Sequence, residues 1–268
     1  MRAFDHACHA TKGARNYQED TALVWSSGVR GGSDPFAPRP DGTLEVNGNV
    51  IAVLADGMGG HAGGALASRM ACERFIAAYA DRDGGTTQER LIDALAAANV
   101  AIAEKVEADP LLSGMGSTLV GVVFSDAGVE WVSVGDSPLL LYRRGEIALL
   151  NEDHSLAPEL DQLAAAGVMT VEDARRDPRR HMLRSAVTGD ELDLVDISRH
   201  PLVIEPGDYV ILASDGLHTL ETGEIERIIT AFAADGCEAV ARALIREVEA
   251  MRDPHQDNTT VVAVRARE

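Results

Sequence analysis

Two unbroken apolar runs, Val50-Ile-Ala-Val-Leu-Ala55 and Tyr209-Val-Ile-Leu-Ala213, constrain this chain more than any other feature. Each has the length of a strand and no charged residue, so each reads as a buried strand. Each also runs into an acidic turn, Asp56-Gly57 directly after the first and Asp215-Gly216 one serine after the second. The segments around them supply cover. Residues 64–80 and 86–108 have helical patterning, and in the second Leu91, Leu95, Ala98, Ile102 and Val106 recur every three or four positions, on one face. Short runs at 118–124, 129–134, 139–142 and 147–149, separated by turn residues, have the spacing of an antiparallel meander. A strand at 21–25, a helix at 238–251 on the stripe Val240, Leu244, Val248 and Met251, and a strand at 260–264 complete the pattern. This order predicts an α+β fold in which two antiparallel β-sheets carry helices on the outside, because the alternating βα units of a parallel sheet are absent.

Two stretches break the pattern. Residues 28–49 are rich in Gly, Pro, Ser and Asp and read as a long surface loop or hairpin. Residues 156–180 are polar and weakly helical, punctuated by Pro158 and Pro178, and read as a flap set on the sheet. With 46% apolar and 25% charged residues the 268-residue chain can bury a real core, so residues 1–268 are expected to form a single domain. Only 4% of residues are aromatic, which leaves Ala, Val, Leu and Ile to fill that core. The balance of 24 Lys and Arg against 43 Asp and Glu gives a net charge of −19, and a polyanion partner such as nucleic acid is excluded for want of a basic face. Cys8, Cys72 and Cys237 are odd in number and widely spaced, which argues against a disulfide framework or a zinc site. No signal-peptide pattern and no apolar run of membrane-spanning length occurs, so the expected location is cytoplasmic, without a membrane partner. Without heptads the expected state is a monomer.

The chemistry lies in the placement of aspartates. Asp20, Asp56, Asp136, Asp215 and Asp257 all stand at ends of expected strands. Asp-Gly also occurs at Asp41, Asp83 and Asp235, and such a pair is ordinarily a turn. Asp56 and Asp215 differ because an apolar strand delivers each on a rigid element. Carboxylates converging at one end of two sheets repel each other unless cations neutralise them. An all-oxygen donor set suits Mg²⁺ or Mn²⁺ better than zinc. Two such ions are the arrangement that serves phosphoryl chemistry, which points to hydrolysis of a phosphoester.

Seven segments carry a resemblance: Gly13-Ala-Arg-Asn-Tyr-Gln-Glu-Asp20, Val53-Leu-Ala-Asp-Gly-Met-Gly-Gly-His61, Gly114-Met-Gly-Ser-Thr118, Val134-Gly-Asp-Ser137, Asn151-Glu-Asp-His-Ser155, Ala213-Ser-Asp-Gly-Leu217 and Asp257-Asn-Thr-Thr260. In this order, over residues 9–264, they resemble the bacterial-type members of the PP2C (PPM) metal-dependent protein serine/threonine phosphatases. The resemblance implies a four-layer αββα sandwich with a binuclear Mn²⁺ or Mg²⁺ centre and a flap at about 156–189. It implies that Asp56 bridges two ions, that the Gly57 carbonyl, Glu19 and Asp20 complete one side, and that Asp215 and Asp257 hold the other ion. Asp136 is similar to the ligand of a possible third ion, shared with Asp215. Arg15 matches the phosphate-binding arginine, although alone it reads equally as a solvated surface residue. The implied reaction is attack on phosphorus by a metal-activated water, with phosphoserine and phosphothreonine proteins as substrates and a cognate Ser/Thr kinase system as the opposing partner.

The chain departs from the family pattern at three places. Met58 stands where eukaryotic-type members carry a histidine, Pro138 where many have arginine, and Thr219 where some have a further aspartate that would help hold the third ion. His61 and His154 are candidates for a general acid, each more readily read as a structural hydrogen-bonder. The rival readings are a non-catalytic PP2C-fold module that senses metal or binds a partner, a thiol phosphatase and a nucleotide-binding loop. The first is disfavoured by the full set of core ligands. The second fails because neither Cys8 nor Cys237 has an arginine six positions on, and the third because no Gly-Lys-Ser/Thr follows the glycines near residue 60.

Overall fold

The computed structural model describes residues 4–26, 41–44, 49–59 and 62–267. Among the described residues the strands are β1 (Phe4–Thr11), β2 (Thr21–Ser26), β3 (Asp41–Leu44), β4 (Val50–Ala55), β5 (Gly57–Met58), β6 (Gly116–Ser117), β7 (Leu119–Ser125), β8 (Gly128–Val134), β9 (Leu139–Arg143), β10 (Glu146–Leu149), β11 (Asp196–Ile197), β12 (Tyr209–Ala213) and β13 (Thr259–Ala266). The helices are α1 (Ala62–Asp81), α2 (Thr87–Ala108), α3 (Ala157–Ala165), α4 (Val171–Arg176), α5 (Thr222–Phe232) and α6 (Cys237–Met251). One six-stranded sheet runs β10-β9-β12-β13-β1-β3 and one five-stranded sheet runs β11-β8-β7-β4-β2, and every pairing is antiparallel.

Strand periodicity explains the layers. In β4, Val50, Ala52 and Leu54 face the other sheet, while Ile51, Val53 and Ala55 face α1 and α2. In β12, Val210 and Leu212 share that inter-sheet core, while Tyr209, Ile211 and Ala213 pack with α5 and α6. Both runs are continuous in apolar character because successive side chains enter different cores, each closed off from water. The outcome is the α+β arrangement expected, helices outside two packed antiparallel sheets. The second helix starts where its sequence places it, with Thr86 capping the Glu89 amide while the Glu89 carboxylate accepts from the Thr86 amide.

Three expectations need correction. The four runs from residue 118 to 149 do not form one meander: β7 and β8 belong to the five-stranded sheet, β9 and β10 to the six-stranded one. Hairpin spacing is local, whereas sheet membership is set by which core a hairpin covers. Phe4–Thr11 is a strand that the pattern does not announce, because two histidines and an aspartate interrupt it. Thr222–Phe232 is a helix that the same reading omits, although Ile225, Ile228 and Ile229 mark its buried face. Of the 28–49 loop, residues 41–44 form the edge strand β3 against β1, and 28–40 and 45–48 lie outside the described residues. No helix among the described residues is long and apolar enough to cross a membrane.

Candidate active site

Antiparallel register gathers the aspartates. Thr21 of β2 pairs with Ala55 of β4, so Asp20 just before β2 and Asp56 just after β4 stand side by side at one end of the five-stranded sheet. On the six-stranded sheet Ala213 of β12 pairs with Val261 of β13, which brings Asp215 near Asp257. Asp136 lies on the crossover, residues 135–138, by which the chain leaves β8 in one sheet for β9 in the other. The two halves are joined by the Ser214 hydroxyl, which donates to Asp20 Oδ2 at 2.7 Å.

Arg15, Glu19, Asp56, Gly57, Asp136, Asp215 and Asp257 line one cleft of about 510 Å³. Met58, Thr118 and Asn258 complete its floor, and His181, Met182 and Leu183 form a wall. Asp20 lies beneath the lining, buried against Ser214. The wall belongs to an excursion of the chain: Leu156 donates its amide to the Met182 carbonyl at 3.0 Å, and α3 and α4 lie between those ends.

Backbone anchors hold the acidic groups. The Asp56 amide donates to Thr118 Oγ1 at 3.0 Å, and the Asp56 carbonyl accepts from the Thr118 amide at 2.9 Å and the Ser117 hydroxyl at 2.8 Å. Next to it only glycine fits, since a Cβ on Gly57 would stand 2.1 Å from the Gly64 carbonyl oxygen of α1. The loop bearing Arg15 and Glu19 rests on the residues flanking Asp257. Gly13, at φ +56°, lies so close that a Cβ there would stand 2.4 Å from the Asp257 carbonyl oxygen. Asn258 accepts from the Glu19 amide at 2.7 Å and donates to the carbonyls of Lys12 and Tyr17, each at 2.9 Å. Arg15 Nη2 then donates to Asp257 Oδ2 at 2.5 Å.

The electrostatics call for cations. Burial, reinforced by Asp20, Asp215, Asp136 and Asp257, pushes Asp56 well above the usual carboxylate range. Burial, then the charges of Asp215 and Asp153, raises Asp136 to about 7. Burial raises Asp20 to about 6, opposed by the Ser214 hydrogen bond that favours its ionised form. Asp215 is raised by burial and by Asp257. Among the described residues Asp20 Oδ1 and Asp215 Oδ1 are buried and accept no hydrogen bond, which suits an electropositive partner. The donors are all oxygen, which fits a hard divalent cation. Among the described residues no three His, Cys, Asp or Glu side chains close into a ready coordination shell. The cleft is an open rim of carboxylates with room for water around an ion, as magnesium and manganese tolerate.

Of the histidines considered, His61 lies outside the described residues. His154 is buried, its Nδ1 accepts from the Gly135 amide at 3.2 Å, and its own amide donates to the Gly135 carbonyl at 3.1 Å. It braces the turn that carries Asp136. Asn151 clamps the same crossover, donating to the Ser137 carbonyl at 3.0 Å and accepting from the Leu139 amide at 2.8 Å. The segment 151–155 is thereby accounted for by its support of Asp136. Sequence reasoning missed the bridging Ser214 hydroxyl and the buried Gln256, whose partners are distant in the chain; only their position beside Asp215 and Asp257 marks them.

Comparison with known proteins places the fold and the sequence. The family model described as Protein phosphatase 2C matches residues 37–258, a span that includes Asp56, Asp136, Asp215 and Asp257 and leaves out Arg15, Glu19 and Asp20. The chain is 35% identical over 213 residues to the serine/threonine protein phosphatase PstP of Mycobacterium tuberculosis, covering 79% of this chain and 39% of that protein. It is 33% identical over 187 residues to the protein phosphatase PhpP of Streptococcus pneumoniae, covering 68% of this chain and 74% of the relative. It thus spans about two fifths of PstP and about three quarters of PhpP. In structure it resembles the catalytic domain of PstP in complex with two manganese ions, with a TM-score of 0.75, 28% identity and 100% coverage of both chains. Fold and matched sequence agree, and the chain belongs to the protein phosphatase 2C family.

Proposed function

We propose that this chain is a metal-dependent phosphatase that hydrolyses phosphoserine and phosphothreonine on proteins at a binuclear Mn²⁺ or Mg²⁺ centre. The observation that carries this reading is the convergence of five aspartates, Glu19 and Arg15 at one shared end of two sheets, with Asp20 Oδ1 and Asp215 Oδ1 buried and given no hydrogen bond among the described residues. The PstP structure in complex with two manganese ions supports the choice of ion.

Glu19, Asp20, Asp56 and the Gly57 carbonyl would hold one ion and Asp215 with Asp257 the other, Asp56 standing between them, and Asp136 with Asp215 offers a place for a third. When bound, such ions supply Lewis-acid polarisation of the phosphoryl group and an activated water. The chain's own share is to bind and orient. Arg15 presents a planar fork that matches two phosphate oxygens, and it is held at the rim by the loop seated on Asn258. Thr118 and Ser117 fix the Asp56 backbone so that its carboxylate does not have to be ordered on binding. The wall at residues 181–183 borders the cleft where the protein part of a substrate would lie. On this reading residues 1–268 act as one cytoplasmic, monomeric unit on phosphoproteins, opposite a Ser/Thr kinase.

The test is hydrolysis of p-nitrophenyl phosphate by chelator-stripped protein given Mn²⁺, Mg²⁺, Ca²⁺ or Zn²⁺ in turn, beside Asp56→Ala and Asp215→Ala. Activity restored by Mn²⁺ or Mg²⁺ and lost in both variants supports the proposal. Inactivity under every metal, with metal uptake retained, refutes it.

A further inference from the structure

Gln256 belongs to none of the segments that carry the family resemblance, yet it is buried where three stretches bearing candidate ligands meet. Its Nε2 donates to the Gly216 carbonyl at 3.0 Å and to Thr259 Oγ1 at 3.0 Å, and its Oε1 accepts from the Thr219 hydroxyl at 2.7 Å. One side chain therefore ties the turn that begins at Asp215 to the first residue of β13, two positions beyond Asp257. Its backbone carbonyl also accepts from the Ala14 amide at 2.8 Å, which seats the loop bearing Arg15.

The strand ladder sets the frame for Asp215 and Asp257: Ala213 pairs with Val261, the Ser214 amide donates to the Thr260 carbonyl at 3.1 Å, and the Thr260 amide donates to the Ser214 hydroxyl at 2.9 Å. Beyond that ladder each stands on a loop or turn. Asp215 follows the end of β12 on a short 3₁₀ turn, Asp215–Thr219, and its Oδ1 accepts no hydrogen bond. Asp257 stands on the loop before β13, where its Oδ1 accepts from the Asn258 amide at 2.8 Å and its Oδ2 from Arg15. Neither carboxylate is bonded to the other's segment through its own side chain. The Gln256 amide adds such a link beyond the ladder, with both ends of a planar group whose partners are the Gly216 and Asp257 carbonyls and the Thr259 and Thr219 hydroxyls.

We propose that Gln256 is a positioning residue that sets the separation of Asp215 and Asp257 and thereby the affinity for the cation they share. The proposal rests on the reading that these two carboxylates hold a divalent ion. Outer partners that orient ligands typically change metal affinity by about 10–100-fold when removed. Replacing Gln256 by Met keeps the packing against Gly13 but removes the four side-chain hydrogen bonds, so beyond the strand ladder the turn at Asp215 loses its side-chain tie to the loop bearing Asp257.

The experiment is calorimetric titration of chelator-stripped protein with Mn²⁺, using the wild type, Gln256→Met, Thr219→Val and Asp257→Asn, and the Gln256→Met/Asp257→Asn pair. The expected wild type takes up two ions. Gln256→Met keeps one at wild-type affinity and weakens the other by about 10–100-fold. Thr219→Val deletes one of the four bonds and weakens the same ion by a smaller factor, and it alone decides the matter if Gln256→Met fails to fold. In the Asp257→Asn background Gln256→Met adds no further loss, because it acts through the residue already removed. Both ions weakened equally, an additive loss in the double variant, or wild-type binding by Gln256→Met and Thr219→Val would overturn the positioning role while the phosphatase reading stood. A wild type that takes up no Mn²⁺ would overturn that reading and this proposal together.

Discussion

Asp56 ends a strand whose six residues are all buried, whereas Asp257 stands on the loop between α6 and β13 with its side chain 39% exposed and paired to Arg15. The half of the cleft built by β2 and β4 is fixed by the sheet itself, with Ser117 and Thr118 anchoring the Asp56 backbone. The half built by β12 and β13 hands its acidic residues to a turn and a loop, and side chains such as Gln256 and Asn258 bind these together. The same acidic chemistry is thus placed by sheet register on one side and by hydrogen-bonded brackets on the other.

The largest expected difference follows from that contrast. Asp56→Asn removes the group between the two halves and is expected to lower kcat for p-nitrophenyl phosphate by on the order of 10³-fold or more, with Asp257→Asn falling well short of that. Equal losses in the two variants would erase the distinction between the halves. Arg15→Ala is expected to lower kcat/KM by about 30-fold, the equivalent of about 2 kcal/mol for a hydrogen bond to a charged group, mostly through KM. Steady-state kinetics over a range of substrate concentration separates the two parameters, and an effect confined to kcat would contradict a phosphate-binding role.

The buried carboxylates also make stability depend on pH. Folding raises Asp20 to about 6 and Asp136 to about 7, above the ordinary carboxylate value near 4, and raises Asp56 and Asp215 as well. The neutral acid is therefore favoured in the folded state, so these groups contribute stability below about pH 4 that is lost as pH rises toward 7. In chelator, the contribution of these groups should lower the melting temperature between pH 5 and pH 7.5. Asp136→Asn should flatten that fall, and saturating Mn²⁺ should reverse it. A melting temperature that Asp136→Asn leaves just as pH-dependent would show that burial does not act as described. The smallest expected effect lies away from the cleft: Ile229→Val, on the buried face of α5, should cost about 1 kcal/mol in denaturant unfolding and leave Mn²⁺ uptake unchanged. A loss of metal binding there would mean that the outer helix governs the loop-built half.

How much of this is legible in the sequence depends on the range over which each feature is determined. The two apolar runs are legible because both faces of each strand are buried, which leaves a local mark. Asp56 and Asp215 are legible as candidates for the same reason, since each closely follows one of these runs. The assignment of the two central hairpins to different sheets is not legible, because turn spacing is the same whichever sheet a hairpin joins. Phe4–Thr11 is hidden because its neighbours β13 and β3 are distant in the chain and because the polar His6 is buried while Ala10 is exposed, which breaks the expected alternation. Gln256 is hidden more deeply still. Its partners Gly216 and Thr219 lie 40 and 37 residues away, and a lone glutamine in a polar loop carries no local signal of burial.

The most direct test of the central claim is release of inorganic phosphate from a phosphoserine peptide by chelator-stripped protein, measured before and after addition of Mn²⁺, with Asp56→Asn in parallel. The account predicts no release without metal, turnover once Mn²⁺ is present, and none from the variant. Turnover in chelator, or turnover by Asp56→Asn equal to that of the wild type, would contradict it.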